Sequence, residues 1–337
     1  MNDPHTHAGT GTEETSKRLL LAQPRGFCAG VRRAIDIVER ALELHGAPVY
    51  VRKEIVHNHY VVSQLEQRGA RFVDSEAEIP KGAVCVLSAH GVSPAVRANA
   101  ASRRLEVIDA TCPLVSKVHQ EALRFARDGR IVLLVGHVGH EEVEGVLGEA
   151  PDRTVVIESV EDVGKLDLPV GTPVACLTQT TLSFDETALI VAALRDRFDD
   201  LVTPGDDICY ASQNRQNGVK ELARLSDVVL VVGSANSSNS RRMVEVARAH
   251  GYAAHLVPDS GHLDVAWLDG ASSIGVSAGA SVPEVLVQGL VERLARLGYE
   301  DIDLHVGIAE DIVFGLPGRL ASPAGAVPST PLAGEVA

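Results

Sequence analysis

The stretch PRGFCAGV, residues 24–31, places a cysteine between a short apolar run and a helical segment. The apolar run covers residues 19–22, and the helical segment covers residues 31–44. A strand that ends at a glycine-flanked cysteine and continues into a helix predicts that Cys28 lies at the mouth of an α/β sheet. Backbone N–H groups and the positive end of the helix dipole meet there, and both favour a thiolate.

Two more cysteines occupy similar junctions, Cys112 in DATCPLVSKVH (109–119) and Cys209 in DICYASQNRQ (207–216). The spacings between the three are close to regular, 112 − 28 = 84 and 209 − 112 = 97. Each cysteine precedes a helical segment, an apolar strand and a later strand that ends in small polar residues. The pattern therefore predicts three similar α/β units with small, mainly parallel sheets, closed around a shared centre.

The same repeat gives the expected domain boundaries. We expect a disordered leader over residues 1–18, α/β domains over 19–111, 112–205 and 206–317, and a disordered tail over 318–337. The leader is polar, and the tail is rich in alanine, proline and glycine, a composition that does not build a core.

Composition narrows the class of protein. The chain has 337 residues, is 45% hydrophobic but only 4% aromatic, and carries 31 basic against 45 acidic residues, a net charge of −14. Such a surface repels nucleic acid and anionic membranes, so neither is an expected partner. No apolar run reaches the roughly 18 residues of a membrane span. Five widely spaced cysteines indicate reduced thiols or metal ligands, and we expect a cytoplasmic protein.

The five cysteines divide by position. Cys28, Cys112 and Cys209 lie at turns among glycine, proline or polar neighbours, which favours metal or cluster ligation, whereas Cys85 and Cys176 lie within strands and are expected in the core. Three thiolates can hold zinc, although structural zinc usually takes four ligands. They can also hold an iron–sulfur cube that leaves one iron without a protein thiolate. A single nucleophilic cysteine explains one of the three.

Polar residues at the strand ends suggest an anion site. Imidazoles, hydroxyls and turn N–H groups together can cradle a phosphate without lysine, and a carboxyl beside them is a natural proton donor. No phosphate-binding loop with the GxxxxGK[ST] pattern is present. The candidates are His57, His90, His140, Ser237, Ser238, Asn239 and Ser281 for the anion and Glu142 for the proton.

In order along the chain, these blocks resemble the family of 4-hydroxy-3-methylbut-2-enyl diphosphate reductases, iron–sulfur enzymes of the methylerythritol phosphate route to isoprenoids. The resemblance spans residues 19–317. The matching blocks are residues 24–31, 57–58, 88–94, 110–119, 139–145, 178–183, 208–216, 233–240 and 275–284. It implies three α/β domains in a trefoil around a central cluster, and an enzyme that reductively removes the substrate hydroxyl to give isopentenyl and dimethylallyl diphosphate.

The resemblance also implies residue roles. Cys28, Cys112 and Cys209 would ligate a [4Fe–4S] cluster whose fourth iron is open to the substrate hydroxyl. Thr180 and Glu142 would lie near that hydroxyl, with Glu142 in the proton relay and His140 beside them. The implied substrate-binding residues are His57, His90, His140, Thr180, Ser237, Ser238, Asn239 and Ser281. Electrons would come from a ferredoxin or a flavodoxin.

One position departs from the family pattern. The family usually has proline between the histidine and the glutamate of the 139–145 block, and this chain has Glu141. Because proline restricts the backbone, we expect a changed loop but an unchanged reaction. Two other classes stay open: a non-catalytic iron–sulfur sensor, which leaves the polar ring unexplained, and a zinc hydrolase, which would be colourless.

Overall fold

The computed structural model describes residues 17–204 and 207–320, which alternate strands with helices throughout. The strands are β1 (Arg18–Gln23), β2 (Val49–Arg52), β3 (Ala70–Val73), β4 (Val84–Leu87), β5 (Glu106–Asp109), β6 (Ile131–Val135), β7 (Thr154–Ile157), β8 (Val174–Thr178), β9 (Leu201–Val202), β10 (Val228–Val232), β11 (Ala253–Val257), β12 (Ser273–Ala278) and β13 (Asp301–Val306). The helices are α1 (Ala29–His45), α2 (His59–Gln67), α3 (Pro94–Ser102), α4 (Pro113–Arg127), α5 (Glu141–Leu147), α6 (Val160–Lys165), α7 (Phe184–Arg197), α8 (Tyr210–Leu225), α9 (Ser238–Ala249) and α10 (Glu284–Arg296). Short 3₁₀ turns occur at Glu76–Glu78, Ser260–His262 and Val265–Leu268.

The strands of the described residues form three sheets in which neighbouring strands run parallel. The first has the order β3-β2-β4-β5, the second β7-β6-β8-β9, and the third β11-β10-β12-β1-β13. The predicted class, three α/β units with small parallel sheets, is confirmed. Parallel strands need crossover connections, and the intervening helices supply them.

Each sheet is covered on both faces by apolar side chains. Two buried clusters flank each sheet, and in β10 all five residues are buried. This explains why the central strands read as continuous valine and leucine runs without polar alternation. Cys85 in β4 and Cys176 in β8 are 0% and 2% exposed, which confirms their predicted place in the core.

The first strand differs from its predicted assignment. The expected first domain begins at residue 19, but β1 pairs with β12 and β13 and so belongs to the third sheet. Leu19 lies opposite Ile274 and contributes to the third core. Among the described residues, β1 therefore belongs to the third unit, and the chain enters the first unit at Cys28, through α1. Whether the remaining boundaries separate independent domains stays a prediction.

Hydrogen bonds between the units close a ring. The backbone N–H of Cys28 donates to the carbonyl of Ala280 at 3.2 Å, that of Cys112 to Ala89 at 3.0 Å, and that of Cys209 to Thr180 at 3.0 Å. Each cysteine begins the helix of one unit and docks on the turn after a central strand of another. The first unit therefore docks on the third, the second on the first, and the third on the second.

The chain ends are only partly described. Residues 1–16 of the predicted leader and residues 321–337 of the predicted tail lie outside the described residues. The start of the tail was predicted wrongly as disordered, because Leu320 is 1% exposed and packs into the first unit's core beside Leu316. Within residues 17–204 and 207–320, every helix is too short or too polar to cross a membrane.

Candidate active site

The candidate site residues predicted from the sequence line a single cavity. It opens where the three units meet, at the carboxyl ends of their strands, which is where open parallel sheets bind ligands. Among its lining residues are Cys28, Cys112, Cys209, His57, His90, His140, Glu142, Thr180, Ser237, Ser238, Asn239 and Ser281. Among the described residues that line it, none is lysine or arginine.

The three cysteines have the same local structure. Cys28, Cys112 and Cys209 each occupy the N-cap position, directly before α1, α4 and α8. All three are free thiols, and each is partly buried. The sequence signal therefore located the turns correctly, with α1 beginning two residues earlier than predicted.

Burial opposes the expected effect of the helix N-terminus at Cys112 and Cys209. Burial raises the pKa of Cys112 to about 11 and that of Cys209 to about 12. Backbone N–H groups of the following helix lower both values, as the helix-dipole argument requires, but burial outweighs them. These sulfurs are neutral thiols until a cation replaces their protons.

The sulfurs surround a space that suits a group larger than one ion. A Cβ placed on Gly30 would lie 2.7 Å from Cys112 Sγ and 3.8 Å from Cys28 Sγ, so only a glycine fits between these two sulfurs. Three thiolates at about 2.3 Å from one zinc ion are at most about 4.6 Å apart. Among the described residues, the one set of three metal donors within 4.8 Å of each other is His57, His90 and Glu141. The three cysteine sulfurs do not form such a set, so at least two of them lie more than 4.8 Å apart in this structure.

Three imidazole rings form the opposite wall. The rings of His57 and His90 stack with centroids 4.1 Å apart, and the ring of His140 meets them edge-on at 5.8 and 6.2 Å. Burial, together with the two neighbouring rings, lowers the pKa of His140 to about 3. The N–H of Glu142 donates to His140 Nδ1 at 3.2 Å, which places the ring proton on Nε2. That Nε2 is buried and has no hydrogen-bond partner among the described residues.

Carboxylates hold the two stacked rings. His57 Nδ1 lies 3.2 Å from Glu54 Oε2, and His90 Nδ1 lies 3.2 Å from Glu141 Oε2. The hydrogen bond to His57 holds the pKa of Glu54 below its usual range, against the effect of burial. Burial lowers the pKa of His90, and the Glu141 carboxylate opposes that shift.

The third unit adds a polar loop and a helix N-terminus. Ser237 caps α9 by accepting from the N–H of Ser240 at 3.3 Å. Asn239 accepts from the N–H of Ala280 at 2.9 Å through Oδ1, which leaves its buried Nδ2 without a partner among the described residues. Ser281 donates to the carbonyl of His57 at 3.0 Å, so its proton is already engaged. A helix N-terminus with free donors of this kind is suited to an anion.

Glu142 and Thr180 form a closed pair. The N–H of Thr180 donates to Glu142 Oε1 at 2.7 Å, and its hydroxyl donates to Oε2 at 3.0 Å. Glu142 is only 2% exposed, and this burial raises its pKa to about 7 even though both hydrogen bonds lower it. The carboxyl can therefore gain and lose a proton near neutral pH.

Three residues that contact the site, Gln179, Thr181 and Glu54, were not predicted from the sequence. Ser238 Oγ accepts from Gln179 Nε2 at 3.3 Å and from Thr181 Oγ1 at 3.0 Å, which leaves the hydroxyl proton of Ser238 free. Gln179 and Thr181 lie inside the block 178–183, so their proximity was a usable signal. Glu54 offered no such signal, because acidic residues after a strand are common. Its role depends on the distance to His57.

The chain is similar to known proteins over most of its length. The family model described as LytB protein matches residues 19–295. A 4-hydroxy-3-methylbut-2-enyl diphosphate reductase of Nocardia farcinica is 56% identical over 317 residues, 93% of this chain and 94% of that protein. A reductase of the same name from Corynebacterium diphtheriae is 57% identical over 309 residues, 91% of this chain and 93% of that protein.

Solved structures agree with the sequence relatives. The structure of the E-1-hydroxy-2-methyl-but-2-enyl-4-diphosphate reductase from Plasmodium falciparum superposes with a TM-score of 0.88 at 38% identity, covering 90% of this chain and 97% of that one. A second structure, titled as the terminal enzyme of the non-mevalonate pathway, has a TM-score of 0.60 at 30% identity and covers 83% of this chain and 99% of that one.

Proposed function

The chain belongs to the LytB protein family, and we propose that its cavity reduces 4-hydroxy-3-methylbut-2-enyl diphosphate to isopentenyl and dimethylallyl diphosphate. This reaction is the last step of the non-mevalonate route to isoprenoids. It consumes two electrons and two protons, breaks the C–O bond and releases water. One proton leaves with the hydroxyl, and the other forms the new C–H bond. The observation that carries the proposal is the convergence of three thiols, three imidazoles and a buried carboxyl on one cavity.

An iron–sulfur group fits the donor set. The three sulfurs come from three helix N-termini, do not all lie within 4.8 Å of one another, and enclose a space that only a glycine at position 30 leaves open. We assign Cys28, Cys112 and Cys209 as ligands of a [4Fe–4S] cluster. When bound, such a cluster supplies single electrons and, at an iron without a thiolate, a Lewis acid for the hydroxyl.

The diphosphate is assigned to the wall opposite the cysteines. His140 presents a proton on Nε2, Asn239 a free Nδ2–H, and Ser238 a free hydroxyl. The N-terminus of α9 adds backbone donors and the positive end of its dipole. Since no lysine or arginine lines the described cavity, neutral donors and imidazoles carry the recognition. His57, His90 and Ser281 complete this pocket in our assignment.

In this proposal Glu142 supplies the proton that leaves with the hydroxyl as water. In its acid form, the 3.0 Å contact to Thr180 runs in the other direction, with Glu142 donating to the hydroxyl oxygen. The Thr180 hydroxyl is then free to donate to the substrate hydroxyl. The pair is thus a two-member relay, and burial keeps the acid form available up to about pH 7.

The proposed reduction also indicates the kind of electron donor and the cellular compartment of the protein. Single-electron reduction requires a one-electron donor, and we assign a ferredoxin or a flavodoxin to that role. All five cysteines are free thiols, as expected of a chain kept in a reducing compartment, and we propose the cytoplasm.

The test is anaerobic spectroscopy of the purified protein, before and after addition of the hydroxy-allyl diphosphate. We expect a brown protein whose electron paramagnetic resonance signal changes on addition, followed by turnover when an electron donor is supplied. A colourless, zinc-loaded protein would overturn the proposal in favour of a zinc hydrolase. A brown protein whose electron paramagnetic resonance signal does not change on addition of the diphosphate would instead support an iron–sulfur sensor.

A further inference from the structure

The two stacked histidines differ from His140 in the nitrogen that remains for a ligand. His140 accepts a backbone hydrogen bond at Nδ1, so the neutral ring already carries its proton on Nε2. In His57 and His90 the Nδ1 atom faces a carboxylate oxygen at 3.2 Å and must carry the proton there. A neutral ring of this kind offers only a lone pair on Nε2, which repels a phosphate oxygen.

From this geometry we propose that Glu54 and Glu141 are positioning residues, the counterions that allow His57 and His90 to become imidazolium ions when the diphosphate binds. Binding then takes up protons from solution. Only the doubly protonated ring can donate to its carboxylate from Nδ1 and to the phosphate from Nε2. The inference rests on the proposed function, because it requires a diphosphate in this cavity.

The environment of His90 explains why its second proton is taken up on binding and not before. Two stacked imidazolium rings 4.1 Å apart repel each other, and burial penalises the charge on His90. Burial and His57 both lower the pKa of His90 in the free protein. An anion placed against both rings reverses this balance, because each positive ring then lies between a carboxylate and a phosphate.

The charged and titratable groups around the pair come from several elements. Glu54 and Glu141 lie beside the rings, and His140 lies on the adjacent edge. The charges of Lys53, His59 and His137 act on Glu141, Glu54 and His140, respectively. His59 lies 3.8 Å from Glu54 and is exposed, and Asn236 donates to Glu54 at 2.8 Å. The carboxylates are thus the only anionic groups in direct hydrogen-bond contact with the stacked rings among the described residues.

Glu141 is the best position for testing the counterion role, because its carboxylate can be removed without disturbing the helix. It is the first residue of α5, where proline is well tolerated because the N–H there needs no helical partner. The variant E141P therefore removes the carboxylate at a position suited to proline, and it introduces the residue that the family resemblance leads one to expect. The variant E141Q keeps an acceptor for His90 Nδ1 but removes its charge, so it separates electrostatics from shape.

The experiment is anaerobic calorimetry of the cluster-loaded protein with the hydroxy-allyl diphosphate, in buffers of different ionisation enthalpy. The titrations are carried out at about pH 8, where the diphosphate is fully ionised because the second pKa of a phosphate is about 6. The dependence of heat on buffer gives the protons taken up. We expect uptake by the unmodified protein, lowered by about one proton in E141Q and in E141P, with affinity for the diphosphate about tenfold weaker.

The matched control is E221Q. Glu221 pairs with His305 at 2.7 Å on another surface, and neither residue lines the cavity, so this variant should take up as many protons as the unmodified protein. Equal uptake in E141Q, E141P and the control would overturn the inference, as would binding without uptake in the unmodified protein.

Two other outcomes are distinguishable. If the unmodified protein does not bind the diphosphate and its cluster signal is unchanged, the proposed function fails before the inference is reached. His57, His90 and Glu141 also have donor atoms within 4.8 Å of each other. Binding that requires added Zn²⁺ or Mn²⁺ would assign the trio to a cation and overturn the inference.

Discussion

Replacing Gly30 by alanine tests the assignment of the cluster ligands through a single methyl group. A Cβ at this position would lie 2.7 Å from Cys112 Sγ and 3.8 Å from Cys28 Sγ. The second distance is an ordinary contact, but the first is impossible without movement. Because Gly30 is in α1 with a helical backbone, the substitution introduces no backbone strain. Its effect therefore falls on the Cys112 sulfur.

The size of the displacement follows from that distance. Non-bonded heavy atoms prefer separations of about 3.5–4.0 Å, so Cys112 Sγ must move by about 1 Å. Metal sites tolerate errors of only about 0.2 Å in ligand distances. Since even outer-shell changes weaken metal binding by about 10–100-fold, we expect G30A to lose iron at least about tenfold faster. The metal-free protein should not be destabilised, because alanine favours a helix over glycine by about 1 kcal/mol.

The assay is iron content and visible absorption after anaerobic reconstitution, followed by the rate of iron release to a chelator. The matched control is G218A, a glycine-to-alanine change in α8 with no atom within 4 Å of the new methyl group. Thermal unfolding of both metal-free variants reports any general damage. Iron content and release rates in G30A that equal those of G218A would refute the placement of the cluster between these sulfurs.

Three further changes test other parts of the site. C28S should lower cluster occupancy whereas C85S should not, so equal iron content in the two contradicts the ligand assignment. E142Q should abolish turnover with an unchanged cluster spectrum, and near-normal turnover would end the relay role of Glu142. Because burial raises the pKa of Glu142 to about 7, the acid form is present below that pH, and kcat should fall as pH rises through 7; a rise would contradict the relay. Arg215 is 1% exposed, donates twice to the carbonyl of Gly26 in the turn before Cys28 and pairs with Glu310 at 2.8 Å. R215M should therefore lower the free energy of unfolding by about 3–5 kcal/mol, whereas R18M, at an exposed pair, should change it little. Equal losses in denaturant unfolding would contradict that account.

The sequence predicted the units because their signals are local. The continuous valine and leucine run of residues 228–232 is a strand, and the cysteine turns begin helices as the flanking glycine and proline indicated. Strand pairing is not local. Nothing in residues 18–23 distinguishes a strand that joins the first sheet from one that joins the third, because both sheets offer the same apolar, parallel edges. Its assignment to the third sheet depends on partners more than 250 residues away, such as Ile274.

The candidate site shows the same division. Spacing was enough to select Cys28, Cys112 and Cys209, since each repeats the same turn. Positions at strand ends selected the histidines and Glu142, and the family resemblance added Thr180. The protonation of these groups could not be read from the chain. The raised pKa of Glu142 comes from burial, and the proton position on His140 comes from one backbone N–H. Burial also could not be read from the chain, and at Cys112 and Cys209 it outweighs the effect of the helix N-termini on the pKa of the thiols.

By itself, the sequence selected the residues that line the cavity and predicted the three α/β units. Periodicity and turn residues are properties of neighbouring positions, so they can be read along the chain. Only the tertiary structure decided how the units close into a ring and which carboxylate contacts which imidazole. It also decided which side chains are buried deeply enough for their pKa to shift. Those properties depend on distances of a few ångströms between residues far apart in sequence, and they arise only when the three units dock.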